Sequence, residues 1–138
     1  AQWEKAARGG KQYRYPWGND APNCNLGNYS GCYNPNSAYF EKMSVGTYSA
    51  GNTANGICDM AGNVWEWCRD WYDASYYAVS PKTNPQGPSS GTYRVIRGGS
   101  FRDDPSGIRS ANREYLLGEF RNDVGFRVVY EPGPARKR

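Results

Sequence analysis

The sequence predicts a small α+β domain of few short strands and helices joined by long ordered loops. Three observations carry this. The chain has 138 residues, the size of one domain and enough for one core of modest size. Its 17 Gly and 9 Pro punctuate it into turns. Its 12 Tyr and 5 Trp can close a core while keeping a polar tip at the surface. This make-up argues against a helical bundle, and 38% hydrophobic with 22% charged residues is not a disordered composition.

Taken in order, Gln2 to Ala7 reads as the end of an amphipathic helix, with Trp3, Ala6 and Ala7 on its apolar face and Gly9–Gly10 as its stop. Tyr13 to Trp17 reads as a short extended piece ending at Pro16. From Gly18 to Asn55 there is little periodicity, but Tyr29, Tyr33, Tyr39 and Phe40 are residues of the kind that bury, so the stretch reads as ordered loop rather than linker. Met60 to Trp71 is the strongest apolar segment, with Val64, Trp65 and Trp67 entering the core as a strand. Tyr76–Tyr77 reads as a helical turn and 81–91 as a Pro/Ser/Gly loop. Tyr93 to Arg97 and Phe126 to Tyr130 alternate as strands do, the first broken by Gly98–Gly99 and the second closing the domain. The domain is thus expected over 1–130, with a frayed basic tail over 131–138, and no internal repeat is evident.

The net charge of +4 is a mild excess. Arg94, Arg97, Arg102, Arg109 and Arg113, with the terminal Arg136, Lys137 and Arg138, read as solvated arginines plus a basic tail. A nucleic-acid binder concentrates charge more strongly, so no nucleic-acid partner is expected. No apolar run has the length of a membrane span and no signal peptide is visible. The chain starts at Ala1 in what reads as the middle of a helix, so a piece of a longer gene product is expected. Cys24, Cys32, Cys58 and Cys68 form no CxxC pair, and the chain has no His, which speaks against a zinc site. Two readings stay open for them: a Cys24–Cys32 bridge closing a short loop in an oxidising compartment, or free buried thiols.

Three segments together carry a resemblance. Gln2-Trp3-Glu4-Lys5-Ala6-Ala7-Arg8-Gly9-Gly10 is followed by Tyr15-Pro16-Trp17-Gly18. Gly56-Ile57-Cys58-Asp59-Met60-Ala61-Gly62-Asn63-Val64-Trp65-Glu66-Trp67 comes next. Arg94-Val95-Ile96-Arg97-Gly98-Gly99-Ser100-Phe101 then precedes Arg109-Ser110-Ala111 and Val124-Gly125-Phe126-Arg127. In this order and spacing, over roughly residues 2–130, they resemble the C-terminal half of the formylglycine-generating enzyme (sulfatase-modifying factor) family.

The resemblance implies an irregular C-type-lectin-like fold of the formylglycine-generating-enzyme type, with the family's N-terminal half absent. In that fold the first and last strands lie side by side, so the Phe126–Tyr130 strand is expected to have an unpaired edge that invites a partner strand or a dimer. It also implies a structural Ca²⁺ held by the carboxylates of Asp59 and Glu66 and the carbonyls of Gly62 and Val64, the oxygen ligands this ion takes. From the residues alone, Asp59 and Glu66 read equally as acceptors for loop amides and arginines. A weaker second calcium set falls on Asn25, Leu26, Ser37 and Tyr39, where Ser37 stands in place of the family's usual Asp. The family's oxidation of a substrate cysteine needs a cysteine pair for Cu(I), which soft thiolates suit. The matching stretch, Phe101 to Ile108, contains no cysteine, so no copper is expected. An iron site of the related sulfoxide synthases needs histidines, which the chain lacks.

What remains is the surface of residues 101–123, with Phe101, Arg102, Asp103, Asp104, Arg113, Glu114, Tyr115, Phe120, Arg121 and Asn122 as candidate ligand contacts. Tyr, Arg and Asn are frequent in recognition surfaces. Arg97, Arg109 and Arg127 read instead as ties between loop and core. The expected function is a non-catalytic module, fixed by calcium, that binds a protein or small ligand on this face, with an extracytoplasmic or cell-surface setting favoured. A sharper form is the variable protein of a diversity-generating retroelement, which uses this scaffold and varies residues between the Arg97-Gly98-Gly99-Ser100 and Gly125-Phe126-Arg127 motifs. Against it, Glu114 and Glu119 are not residues that variable Asn-type codons readily give. The alternative is a divergent sulfatase-modifying factor, a formylglycine-generating oxidoreductase, or an accessory fragment of one.

Overall fold

A computed structural model describes residues 1–32, 41–119 and 121–130. Tyr33, Tyr39, Phe40 and the 131–138 tail lie outside the described residues. The first helix, α1, spans Gln2–Arg8 and buries Ala7 completely. Gly9 ends it in the left-handed conformation, φ 58°, and donates its N–H to the Ala6 carbonyl, a stop that glycine adopts without steric cost. Glu4 in the first turn and Lys5 and Arg8 in the last complement the helix dipole.

Four strands follow: β1 (Trp65–Trp71), β2 (Arg94–Arg97), β3 (Glu114–Leu116) and β4 (Val124–Gly125), with a short helix α2 (Tyr76–Val79) between β1 and β2. They form one sheet in the order β3-β2-β1-β4. β1 and β2 pair antiparallel, with Glu66 opposite Arg97 and Trp67 opposite Ile96, and the register breaks before Trp71 pairs with Arg94. β4 runs parallel to β1, and β3 antiparallel to β2. Met60, Ile108 and, within β2, Ile96 are the largest fully buried apolar side chains. Tyr15, Tyr29, Ala61 and Ile108 form a cluster against which Trp17 and Cys32 pack. Aromatic rings thus supply much of the core area a small domain otherwise lacks. Cys24 and Cys32 form a disulfide with Cα atoms 5.2 Å apart, while Cys58 and Cys68 are free.

The strands expected at Trp65–Trp67 and Tyr93–Arg97 and the helical turn at Tyr76 are all present, and among the described residues the long loop holds two 3-10 turns, Ser30–Cys32 and Ser49–Gly51. Two elements differ. β3 was not legible, because three residues alternating Glu, Tyr and Leu are too short to show a period. The closing strand expected at Phe126–Tyr130 is instead the pair Val124–Gly125. A strand exists only where a ladder partner accepts its backbone, and β1 offers partners to Val124 and Gly125 but none to the residues after them.

Asn63 does what regular structure does elsewhere. It sits in the left-handed region, φ 67°. Its Oδ1 accepts the Met43 N–H at 2.7 Å and its Nδ2 donates to the Met43 carbonyl at 3.0 Å. Its backbone N–H donates to the Asn28 carbonyl at 2.8 Å, and its carbonyl accepts from Phe101 N–H at 3.0 Å. One residue therefore ties three loops. Gly62 must precede it, since a Cβ there, at φ +78°, would stand 2.1 Å from the Asn28 carbonyl oxygen. Asn84 shares the left-handed backbone, φ 47°, but is exposed. We expect Asn63→Ala to lower unfolding free energy by about 3–5 kcal/mol, from lost and orphaned buried hydrogen bonds plus left-handed strain. Asn84→Ala should cost only about 1 kcal/mol, from strain alone. Denaturant titration of both variants checks the difference.

Candidate functional site

Two glycines after β2 make the site. Gly98 and Gly99 hold φ of +97° and +73°. A Cβ on Gly99 would stand 2.7 Å from Ile108 Cγ2 and 3.0 Å from the Gly107 carbonyl oxygen, so only glycine lets the loop 100–112 fold back onto the strand. Side chains then lock that loop. Asp103 Oδ2 accepts from Ser100 N–H at 2.9 Å and Ser100 Oγ at 2.6 Å. Asp104 Oδ1 accepts from Ser106 N–H at 2.7 Å, Ser106 Oγ at 2.6 Å and Gly107 N–H at 3.1 Å. Asn112 Nδ2 donates to the Gly107 carbonyl at 2.9 Å. Arg97, buried, donates from Nη1 to the carbonyls of Ser110, Ala111 and Asn112 and pairs with Glu4 at 3.3 Å.

The result is an open polar cleft of about 610 Å³ lined by Ser30, Trp65, Ile96, Arg102, Asp103, Asp104, Ser106, Gly107, Asn112, Glu114, Tyr115 and Arg121. Six of the expected contacts line it: Arg102, Asp103, Asp104, Glu114, Tyr115 and Arg121. Three do not. Phe101 is only 3% exposed and belongs to the core. Arg113 lies over the rings of Tyr77 at 4.1 Å and Tyr72 at 4.9 Å and lines a smaller hollow with Trp71. Asn122 sits exposed in the turn before β4, off the cleft. Phe120 lies outside the described residues. Ser106, Gly107 and Asn112 were missed although they lie in the window; the Asp104-Pro105-Ser106 turn pattern was the available signal. Ser30, Trp65 and Ile96 reach the cleft only through the fold.

Chemically the cleft offers carboxylates, guanidinium groups, hydroxyls and an amide, but no thiol or imidazole. Ser106 Oγ donates to Asp104, yet that carboxylate is held below its usual range by the Ser106 hydroxyl, the Gly107 N–H and the Ser106 N–H. A base already stabilised in its charged form is a poor proton acceptor, so this contact shapes the loop and does not activate a nucleophile. The free thiols are elsewhere: Cys68 is in β1, with its pKa pushed up to about 11 chiefly by burial, and Cys58 precedes the 59–63 turn.

That turn carries the expected calcium residues. Asp59, Gly62 and Asn63 all have positive φ, which folds 59–66 tightly. Glu66, buried, accepts from Arg127 on both oxygens (2.5 Å at Oε1, 2.7 Å at Oε2) and from Trp3 Nε1 at 2.6 Å. Arg127 also donates to the carbonyls of Cys58 and Asp59, so Arg127 is the tie expected of it, and the hydrogen bond to Glu66 raises its pKa against the lowering effect of burial. Asp59 Oδ2 accepts the Gly46 N–H at 2.7 Å. The donor set fits a hard cation in its chemistry, since every donor is oxygen. A carboxylate offers about four acceptor directions, so three donors leave Glu66 one, on Oε1, and Asp59 keeps Oδ1. Among the described residues no three Asp, Glu, Cys or His side chains gather, so carbonyls must complete any such cage. In the second set, Asn25 is exposed and the Leu26 carbonyl lies against Gly51, where a Cβ would stand 1.7 Å from its oxygen; Ser37 and Tyr39 lie outside the described residues.

An α+β sheet of short strands, a glycine-built loop folded back over it and a polar cleft between them define a C-type-lectin-like domain of the formylglycine-generating-enzyme type. Residues 1–132 match the sulfatase-modifying factor enzyme 1-like domain family, and the chain belongs to that family. It is 39% identical over 109 residues to the formylglycine-generating enzyme of Streptomyces coelicolor, a match covering 73% of this chain and 34% of that protein. It is 38% identical over 133 residues to the serine/threonine-protein kinase pkn1 of Chlamydia caviae, covering 94% of this chain and 20% of the kinase. Among solved structures it is similar to Treponema denticola variable protein 1, with TM-score 0.65, 29% identity and coverage of 90% of this chain and 43% of that one. It is also similar to PvdO from Pseudomonas aeruginosa, with TM-score 0.71, 25% identity and coverage of 91% and 48%. The chain thus spans about a third of the enzyme and a fifth of the kinase.

Asp123, buried beside the cleft at the start of β4, accepts from Arg121 Nε at 2.9 Å and Nη2 at 2.6 Å, and these bonds lower its pKa. A lowered folded-state pKa adds stability above the unfolded carboxylate value of about 3.9 and loses it as pH falls through the folded value. We expect the stability advantage of the wild type over Asp123→Asn to be flat above about pH 4 and to shrink below it, as read by denaturant midpoints across pH.

Proposed function

We propose that this chain is a non-catalytic binding module whose ligand, a protein or small molecule, sits in the cleft between the 100–112 loop and β3. The observation that supports it best is a cleft whose walls are locked by their own hydrogen bonds while its lining lacks a thiol pair. A preorganised polar cleft loses little entropy on binding. The similarity to one-fifth of a protein kinase supports the same reading, since there the matching region is a minor part of a larger protein. The variable-protein neighbour supports the sharper form, a diversified binding protein. The disulfide at Cys24–Cys32 favours an extracytoplasmic setting.

The cleft lining defines a genetic test of the sharper form. Sequencing codons 100–124 from many copies of the gene at its source, with flanking DNA, should show variation clustered at Arg102, Glu114 and Tyr115. Ser100, Phe101 and Asp103, which build the loop, should be constant. Variation spread evenly over core and cleft positions overturns the diversified reading. An invariant window leaves a fixed binding module.

A second reading, a divergent formylglycine-generating oxidoreductase or an accessory fragment of one, is favoured by the 39% identity to such an enzyme. Incubation with a cysteine-containing sulfatase peptide and copper decides between them: formylglycine detected by mass spectrometry rejects the non-catalytic module.

We also infer a structural Ca²⁺ at Asp59 and Glu66, completed by the carbonyls of Gly62 and Val64, whose role is to pin the 59–63 turn to the start of β1. A ligand bound only by the folded state raises its stability by mass action. Excess Ca²⁺ should raise the melting temperature of chelator-treated protein by a few degrees, about what 1 kcal/mol delivers in a domain this size. Asp59→Ala should abolish the rise. No shift on calcium addition, together with no calcium by metal analysis of untreated protein, rejects the ion.

A further inference from the structure

The Cys24–Cys32 disulfide belongs to neither site described above, yet it ends beside the cleft. Cys32 closes the 3-10 turn Ser30–Cys32, and Ser30 lines the cleft. Among the described residues this turn makes one hydrogen bond to the opposite loop, from Ser30 N–H to the Asp103 carbonyl at 2.9 Å. A second route runs through the core. Cys32 packs against the cluster of Tyr15, Tyr29 and Ile108. Ile108 abuts Gly99, and the Tyr15 hydroxyl donates to the Pro105 carbonyl at 3.1 Å. Both routes end on the 100–112 loop.

The base of the segment is held without the bridge. Asn28 is buried; its carbonyl accepts the Asn63 N–H at 2.8 Å and its Nδ2 donates to the Glu41 carbonyl at 2.8 Å. Tyr29 is buried, and its hydroxyl donates to the Pro22 carbonyl at 3.1 Å. The bridge thus restrains the tip of a segment whose base is anchored at the centre of the fold. Such tips open locally, at lower free energy than the whole domain, and a crosslink limits the conformations open to the loop it closes. Cys24 is exposed and Cys32 half-buried, so thiol–disulfide exchange can reach the bridge.

We propose that the Cys24–Cys32 disulfide is a redox control on the cleft: oxidised, it holds the Ser30 wall against Asp103, and reduced, it lets that wall open. A dithiol reductant supplies two electrons and two protons, the S–S bond becomes two thiols, and the reductant leaves as its own disulfide. As a control on binding, this rests on the reading of the cleft as the binding site; as a control on the wall, it does not.

Amide hydrogen exchange on the full chain, oxidised and after treatment with dithiothreitol, tests the control on the wall without any ligand, so a failed binding reading leaves the outcome intact. Ser30 N–H should exchange at least about tenfold faster once the bridge is reduced. Asn63 and Trp65 N–H, bound to the Asn28 and Asp123 carbonyls, should keep their rates. Reoxidation should restore slow exchange at Ser30, and Cys24→Ser combined with Cys32→Ser should match the reduced protein. An unchanged Ser30 rate overturns the proposal. Equal acceleration at Asn63 and Trp65 overturns it too, because the bridge is then a staple for the whole fold.

Discussion

Every long loop must find partners for its backbone N–H and C=O groups, and in this domain the turn at Gly62–Asn63 answers that demand. Buried backbone groups are almost always paired. Helices and sheets pair them in bulk, but the short elements here cover a minority of the chain. The Asn63 amide imitates a ladder by accepting from Met43 N–H and donating to Met43 C=O, while its own backbone reaches Asn28 and Phe101. That arrangement needs the left-handed backbone at Asn63 and a glycine before it. Segments 28–32, 41–48 and 98–104 meet at this point through Asn28, Met43 and Phe101.

Arginine is the second tie, and its use takes part of the chain's positive charge into the fold. Arg97 gathers three loop carbonyls and Glu4. Arg127 joins Glu66 to the 58–59 carbonyls. The guanidinium fork suits such work because its donors are fixed in a plane and its charge does not titrate. Arg113 is held over two tyrosine rings, and Arg121 is committed to Asp123. The cleft therefore presents mixed, mostly engaged charges rather than a field of one sign. On the proposed binding role, recognition there would rest on shape and hydrogen bonding.

The same commitments bear on the metal. Glu66 is at once the register partner of Arg97 in the sheet, the anchor of Arg127 and the acceptor for Trp3. A carboxylate with these duties contributes one oxygen to a cation at most. Holding helix, sheet and the segment after β4 together is its role in the fold whether or not an ion joins it.

The sequence by itself determined the fold family, since three ordered motifs with fixed spacing carry it, and it determined the strands at Trp65 and Arg94, where alternation is long enough to read. It also determined that Gly98–Gly99 break a strand and that the window after them carries no cysteine. Tertiary structure decided the rest, because the rest depends on which distant residues meet. Phe101 and Tyr115 both read as surface aromatics in one window, yet one is core and the other lines the cleft, a difference set by how the 100–112 loop folds back. Ser30 and Trp65 reach the cleft from far along the chain, and β3 is a strand only because β2 lies beside it. Phe126 to Tyr130 has a strand's pattern and, among the described residues, no strand to pair with. Pattern is a local property of the chain, while pairing and burial belong to whatever lies opposite.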